Sequence, residues 1–134
     1  MKPIRRMGNG YEPHVEQFGD RLTYSLPVDS GVVSFGFTFE LRQADLDVLL
    51  SDDYRRAVLE VIAHTLLQHS TIRGNARFTQ SDFDSLVSGI LHSTNDDLHA
   101  FIAQVGRDNK ILIDHYVKEV MKRRSAENLV CRNQ

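Results

Sequence analysis

The sequence has few of the features that usually reveal a protein's chemistry. Its 134 residues include one cysteine, Cys131, so a disulfide framework is excluded and a reducing cytosol is favoured. No apolar run approaches the roughly 18 to 20 residues that a membrane span requires, and residues 1–20 lack the apolar segment of a secretory signal. We therefore predict a single cytoplasmic domain, which at this length buries roughly two thirds of its unfolded surface without a metal or disulfide.

Catalytic and nucleotide-binding signatures are also missing. The sequence contains no G-x-G-x-x-G or G-x-x-x-x-G-K phosphate loop and no G-x-S-x-G nucleophile elbow. Cys131 sits in a polar tail, with neither a nearby base nor a helix start to activate its thiol. We expect no catalytic residue, no cofactor and no enzymatic activity.

The six histidines raise the question of a metal or acid–base site. His64 and His69 are five residues apart, which turns them by about 140° on a helix and separates them. Glu60 with His64, and His115 with Glu119, have a spacing that suits two metal ligands, but each pair needs a third ligand, and the same spacing stabilises an ordinary helix. We predict no metal site. A small enzyme that uses one of the histidines remains an alternative: His64, His92, His99 or His115.

The strand signal lies in residues 21–41. Apolar residues alternate from Leu22 to Val28, and Asp29-Ser30-Gly31 is typical of a turn. Every second residue is again apolar from Val33 through Phe35, Phe37 and Phe39 to Leu41. This pattern predicts a β-hairpin, whose first strand should lie at a sheet edge or end near Pro27, since proline has no amide donor. Residues 1–20 are predicted to be irregular and partly flexible, with room for one short edge strand.

Helical patterns fill residues 42–124. The segments are Gln43–Leu50, a central helix Asp52–Ser70 capped by Ser51, one that begins at Thr79, one that begins at Thr94 and ends at Gly106, and Asn109–Arg124. Thr79 with Asp82 forms a capping-box pattern, flanked by Phe78 and Phe83 as a hydrophobic staple. Residues 125–134 are predicted to be a polar tail. Strands before helices indicate an α+β fold, with the hairpin packed on four to five helices.

Charge is unevenly distributed although the formal net charge is only −2. No Lys or Arg occurs between Phe78 and Gly106, and five acids between Glu40 and Asp53 face only Arg42. Such a chain is a poor nucleic-acid binder, because phosphate contacts need clustered cations. Many of the acids fall in first helical turns, where they interact with the helix dipole, so helix capping and an anionic docking face are alternatives. The candidate partner-binding residues are Asp45, Asp47, Asp52, Asp53, Asp82, Asp84, Asp96 and Asp97.

The strand-to-helix run FTFELRQADLDVLL, followed by SDDYRRAVLEVIAHTLLQHST, resembles the immunity proteins that bacteria encode beside contact-dependent or other polymorphic toxins. These proteins share no defining motif, so no binding residue is transferred by matching. The resemblance implies a protein partner: a cognate toxin domain, often a nuclease with a basic cleft, whose active site is blocked. A carboxylate face would speed association with such a partner. A regulatory or adaptor subunit is the other non-enzymatic alternative, and it would be expected to leave apolar residues exposed after packing or to self-associate through the hairpin edge.

Overall fold

A computed structural model describes residues 3–8, 13–30, 33–71, 74 and 77–132, with side chains for all of these except 28–30, 33–35 and 126–132. The strands are β1 (Ile4–Met7), β2 (His14–Phe18), β3 (Arg21–Ser30) and β4 (Val33–Leu41). The helices are α1 (Gln43–Ser51), α2 (Asp53–Ser70), α3 (Gln80–Leu91), α4 (Asn95–Asn109) and α5 (Ile113–Arg132). The predicted α+β class is confirmed, with strands first and helices after.

The sheet contains two strands more than the predicted hairpin. Its order is β1-β2-β3-β4, and all neighbours are antiparallel, so residues 4–7 and 14–18 are strands where irregular chain was expected. The two strands are short and place only Met7 and Val15 in the core, which leaves too little alternation to detect. Gly8 lies at their junction with a φ of +90°, and a β-carbon there would lie 2.5 Å from the carbonyl oxygen of Pro13. Only glycine fits this close approach.

Pro27 lies in an inner strand, contrary to the prediction. β3 pairs with β4 over its whole length, but the described pairing of β2 with β3 begins at His14 opposite Ser25. The nitrogen of Pro27 points toward the β2 side, beyond that pair, so its missing N–H removes no bond from the described part of the β2–β3 pairing. A proline is therefore compatible with an inner strand whose neighbour is shorter.

One face of the sheet packs against the helices. Leu22 and Tyr24 pair with Leu41 and Phe39, and all four side chains are buried. Phe39 stacks on Phe83 of α3 at a centroid distance of 4.7 Å and meets Phe78 edge-on at 5.6 Å. The apolar alternation predicted for β4 thus faces the helical layer at Phe39 and Leu41, whereas the side chains of Val28, Val33 and Phe35 lie outside the described residues.

The helix α2 lies at the centre of the helical layer, as predicted. Its buried residues cover most of its circumference, and it packs against β3 and against each of the other four helices. Within the described part of the chain, no helix combines the length and apolar character that a membrane crossing requires.

Several helix boundaries differ from the predictions. Asp52, rather than Ser51, caps α2 by accepting a bond from the N–H of Arg55, while Ser51 ends α1. The helix α4 continues past Gly106 to Asn109, and Lys110 ends it in a left-handed conformation with a φ of 53°. The helix α5 begins at Ile113 and extends to Arg132, so the predicted tail at 125–134 is helical over most of its length. In the sequence, Arg73-Gly74-Asn75 favours a helix stop after Ser70, but Arg73 and Asn75, like the side chain of Cys131, lie outside the described residues.

Candidate partner-binding site

The side chain of Arg55 joins three helix ends. Its Nη1 donates to the carbonyl oxygen of Ile90 at 2.6 Å and its Nη2 to Oδ1 of Asn95 at 3.1 Å, while Nε lies 3.4 Å from the Asp52 carboxylate. The residue is 9% exposed. Since one guanidinium spans all of these groups, the start of α2, the end of α3 and the start of α4 lie within the width of a single side chain.

The Asp45 carboxylate connects the start of α1 to the same end of α3. It lies 2.6 Å from Nε2 of His92 and accepts a 2.9 Å bond from the backbone N–H of Arg42. Burial raises the pKa of Asp45, but the hydrogen bonds from His92 and Arg42 outweigh burial, so the pKa lies below its ordinary value. The carboxylate is therefore held ionised inside the protein.

The structure brings five of the eight candidate aspartates to this end of α3. Asp45, Asp52 and Asp53 lie at the starts of α1 and α2, and Asp96 and Asp97 lie in the first turn of α4, next to Asn95. Asp82 and Asp84 lie near the start of α3, and Asp82 is eight residues before Ile90, about 12 Å along the helix. Asp47 is exposed on α1 and accepts a bond from Gln43.

The predicted alternatives of capping and docking apply to different aspartates. Asp45 has a side chain that is 5% exposed, so it is not part of an outer face, and we remove it from the candidate surface. Asp52 caps α2 and pairs with Arg55, and Asp82 completes the capping box with Thr79. Asp53, Asp96 and Asp97 are exposed and make no ion pair with any cation whose side chain the structure describes. These three carboxylates are available to a partner.

A fourth carboxylate and three apolar side chains extend this surface. The start of α5 lies on the same side of the molecule as the start of α2, because α5 packs along α2 and Arg124 binds Glu60. Burial, followed by the charges of Asp114 and Asp52, raises the pKa of Tyr54 in the first turn of α2. Leu50, Leu112 and Tyr116 are 53%, 76% and 49% exposed. We call this region the α2-end surface, where the end meant is the N-terminal end of α2. It consists of the exposed residues Leu50, Asp53, Asp96, Asp97, Leu112, Asp114 and Tyr116.

Sequence reasoning missed Arg55, Asn95 and the contribution of Asp114. Arg55 stands in an apolar helical stripe, and an arginine at such a position is commonly solvated. Tyr54, Val58 and Ile62 lie next to Arg55 on the helix and belong to its apolar face. This placement was the available signal that the Arg55 side chain is buried. Asn95 follows Thr94, where the residue type alone indicates only a helix start.

The histidine pairs considered as metal ligands have other contacts. Glu60 is 8% exposed and binds Arg124, with Arg123 at 3.7 Å. His115 lies edge-on to Tyr116 at 5.3 Å. In the described residues, no three His, Cys, Asp or Glu side chains converge as metal ligands would. Burial, with a contribution from the charge of Glu60, also raises the pKa of Tyr24 in β3. The pair of Glu60 and Arg124 therefore lies beneath the sheet.

An open cleft of about 590 Å³ lies between the end of α2, the start of α3 and the middle of α4. Leu66, Phe78 and Phe101 form its apolar floor, and His69, Arg77 and Asp82 are among its polar lining residues. Charges of both signs line this cleft, in contrast to the α2-end surface.

Comparison of the chain with protein families, with curated proteins and with solved structures finds no match.

Proposed function

We propose that this chain is a non-catalytic, cytoplasmic protein-binding module that blocks a basic partner protein, as the immunity proteins it resembles neutralise a cognate toxin. The α2-end surface is the observation that carries the proposal. It combines four exposed carboxylates with exposed leucine and tyrosine side chains at or beside the starts of α2, α4 and α5. A toxin whose active site binds phosphate would present the lysines and arginines that complement this surface.

The two kinds of side chain have different roles in binding. The carboxylates Asp53, Asp96, Asp97 and Asp114 attract a basic protein and set its orientation, which raises the association rate at low salt. Leu112 and Tyr116 are large apolar groups exposed to solvent, and burying such groups at the centre of an interface slows dissociation. An exposed apolar patch with a charged border is typical of a protein interaction site.

The scaffold beneath this surface supports tight binding. Arg55 fixes the starts of α2 and α4 relative to the end of α3, and His92 with Asp45 fixes α1 to the same end. Because these contacts already order the helix ends, little conformational entropy is lost when a partner binds.

The experiment first asks whether a secreted toxin is encoded beside this chain, as the proposal expects, and then uses the C-terminal domain of that toxin. The domain is co-expressed with wild-type protein to measure growth rescue, and the purified proteins are compared by association kinetics at low and high salt. Asp53→Lys/Asp97→Lys should lower the low-salt association rate by about tenfold or more and flatten its salt dependence. Leu112→Ala/Tyr116→Ala should instead raise the dissociation rate, because the apolar contacts act after encounter.

The matched control is Asp20→Lys/Asp84→Lys, which changes the net charge equally at exposed positions outside the α2-end surface. The control should change the association rate by less than about threefold. An equal effect of both double variants would assign the attraction to net charge and contradict the proposed surface. Unchanged rescue and kinetics in Asp53→Lys/Asp97→Lys would contradict it as well.

A further inference from the structure

The strand β4 is an unprotected edge of the sheet. The strand order places β1 and β4 at the two edges. β1 has four residues, includes Arg5 and Arg6, and shifts register between Arg5 and Met7, all of which discourage pairing with another chain. β4 has nine residues, and its sequence VSFGFTFEL carries no charge before Glu40 and no proline. β4 therefore lacks the usual protection of an edge strand.

The backbone at this edge points toward solvent. The N–H of Glu40 donates to Oε1 of Gln80 at 2.8 Å, and the carbonyl oxygen of Glu40 accepts from Nε2 of Gln80 at 3.0 Å. Since strand residues alternate, the backbone groups of Gly36 and Thr38 also point away from β3. Both residues are exposed, and in the described structure β3 is the only strand beside them. Gln80 thus pairs with the edge at Glu40, and among the described residues it leaves the outward backbone groups of Gly36 and Thr38 open.

Among the described residues, no steric contact or backbone conformation requires glycine at position 36, in the middle of this edge. Its φ is not in the left-handed region, and a β-carbon at this position would meet no atom within 4 Å. Glycine weakens the interior of a strand and often marks the close approach of another backbone. Position 36 is therefore suited to contact with a second chain.

We propose that β4 pairs antiparallel with β4 of a second copy, across a twofold axis at Gly36, so that two sheets become one continuous sheet. Position 36 then lies opposite its own equivalent, and positions 34 and 38 lie opposite each other. These pairs exchange about six backbone hydrogen bonds. The contact closes on itself, as twofold interfaces do.

A second copy fits this edge better than a charged partner does. From Val33 to Phe39 the edge has no charge to attract a basic protein, and the same uncharged stretch of a second β4 matches it in length. The pairing sets Phe37, which is half-buried and packs against the core, opposite position 35 of the other chain, which is also phenylalanine. Such cross-strand aromatic pairs stabilise sheets. The contact does not involve the α2-end surface, so this inference and the proposed function stand or fall separately.

The test measures the molar mass of the full chain by light scattering over concentrations from about 1 to about 200 µM. Wild type should become dimeric as the concentration rises. Gly36→Lys places two lysines opposite each other and should raise the dimer dissociation constant by about fivefold or more, and Thr38→Lys should weaken the dimer in the same direction. Thr23→Lys is the control, because it adds the same charge to the same sheet face on the inner strand β3.

A charge-swap experiment tests the register. Gly36→Glu alone should also be weakened, but a mixture with Gly36→Lys should form a heterodimer, since each lysine then faces a glutamate. Hydrogen exchange should show the Gly36 and Thr38 amides protected at high wild-type concentration and unprotected at low concentration. A wild type that stays monomeric at about 200 µM, a dimer that survives both edge lysines, or a mixture that forms no heterodimer would overturn the proposal. Protection of these amides only after a toxin domain is added would assign the edge to that protein instead.

Discussion

The substitution Arg55→Met removes the guanidinium that joins three helix ends while it keeps an apolar stem in the same space. The bond to the buried carbonyl oxygen of Ile90 has a charged donor and contributes about 1.5 to 3 kcal/mol. The Asp52 side chain is 40% exposed, so its ion pair adds at most about 1 kcal/mol. With the bond to Asn95 also lost, we expect the free energy of unfolding to fall by about 3 kcal/mol.

Urea unfolding followed by circular dichroism measures this loss, with an unchanged m-value as the check that the native fold is retained. The corresponding fall in the melting temperature is roughly 10 °C for a domain of this size. Arg21→Met is the matched control. Its ion pair with Glu40 involves side chains that are 71% and 57% exposed, so the control should lose less than about 1 kcal/mol. Equal losses in the two variants would refute a joining role for Arg55.

Two further predictions concern Asp45 and Gly106. Because the pKa of Asp45 in the folded protein lies below its ordinary value of 3.8, its ionised carboxylate stabilises the fold above that value, and this stability is lost as the pH falls through the lowered pKa. Asp45→Asn should therefore lose most stability near neutral pH and little at low pH, and urea midpoints that differ equally at every pH would contradict this reasoning. Gly106→Ala places a β-carbon 3.0 Å from the carbonyl oxygen of Ile111. This variant should be at least about 1 kcal/mol less stable than Gly89→Ala, whose added β-carbon meets no atom within 4 Å and raises helix propensity. Equal thermal melts for the two variants would exclude the close contact.

The starts of α3 and α4 were predictable because capping is local chemistry, whereas Asp52 caps α2 instead of the predicted Ser51 and α5 begins at Ile113 instead of near Asn109. Thr79 and Asp82 complete their box within four residues, and the bonds of Thr94 and Asp52 are equally local. Helix ends were less predictable. The helix α4 stops at Lys110 in a left-handed conformation, which a lysine in the sequence does not predict. Gly106 does not end the helix, and its missing side chain leaves room for the backbone of Ile111.

The candidate site was only partly predictable, since carboxylates in first helical turns can cap their own helix or face a partner. Asp45 and Asp53 both stand at helix starts in the sequence, but Asp45 is buried against His92 while Asp53 is exposed. The difference depends on which helix end lies nearby, and that is a tertiary property. Arg55 holds the start of α2 next to the start of α4 by its bond to Asn95, which lies 40 positions later in the sequence. No local sequence pattern predicts a contact over that separation.

The order of the sheet affects how the protein is made. Each strand pairs with the strand next to it in sequence, so the sheet closes only short loops, which keeps the entropy cost of its contacts low. The contact of Glu60 with Arg124 spans 64 positions and must wait for the last helix. On the ribosome, the meander and α2 can therefore assemble while the C-terminal helices are still being synthesised, and the apolar face of α2 stays uncovered until α5 emerges.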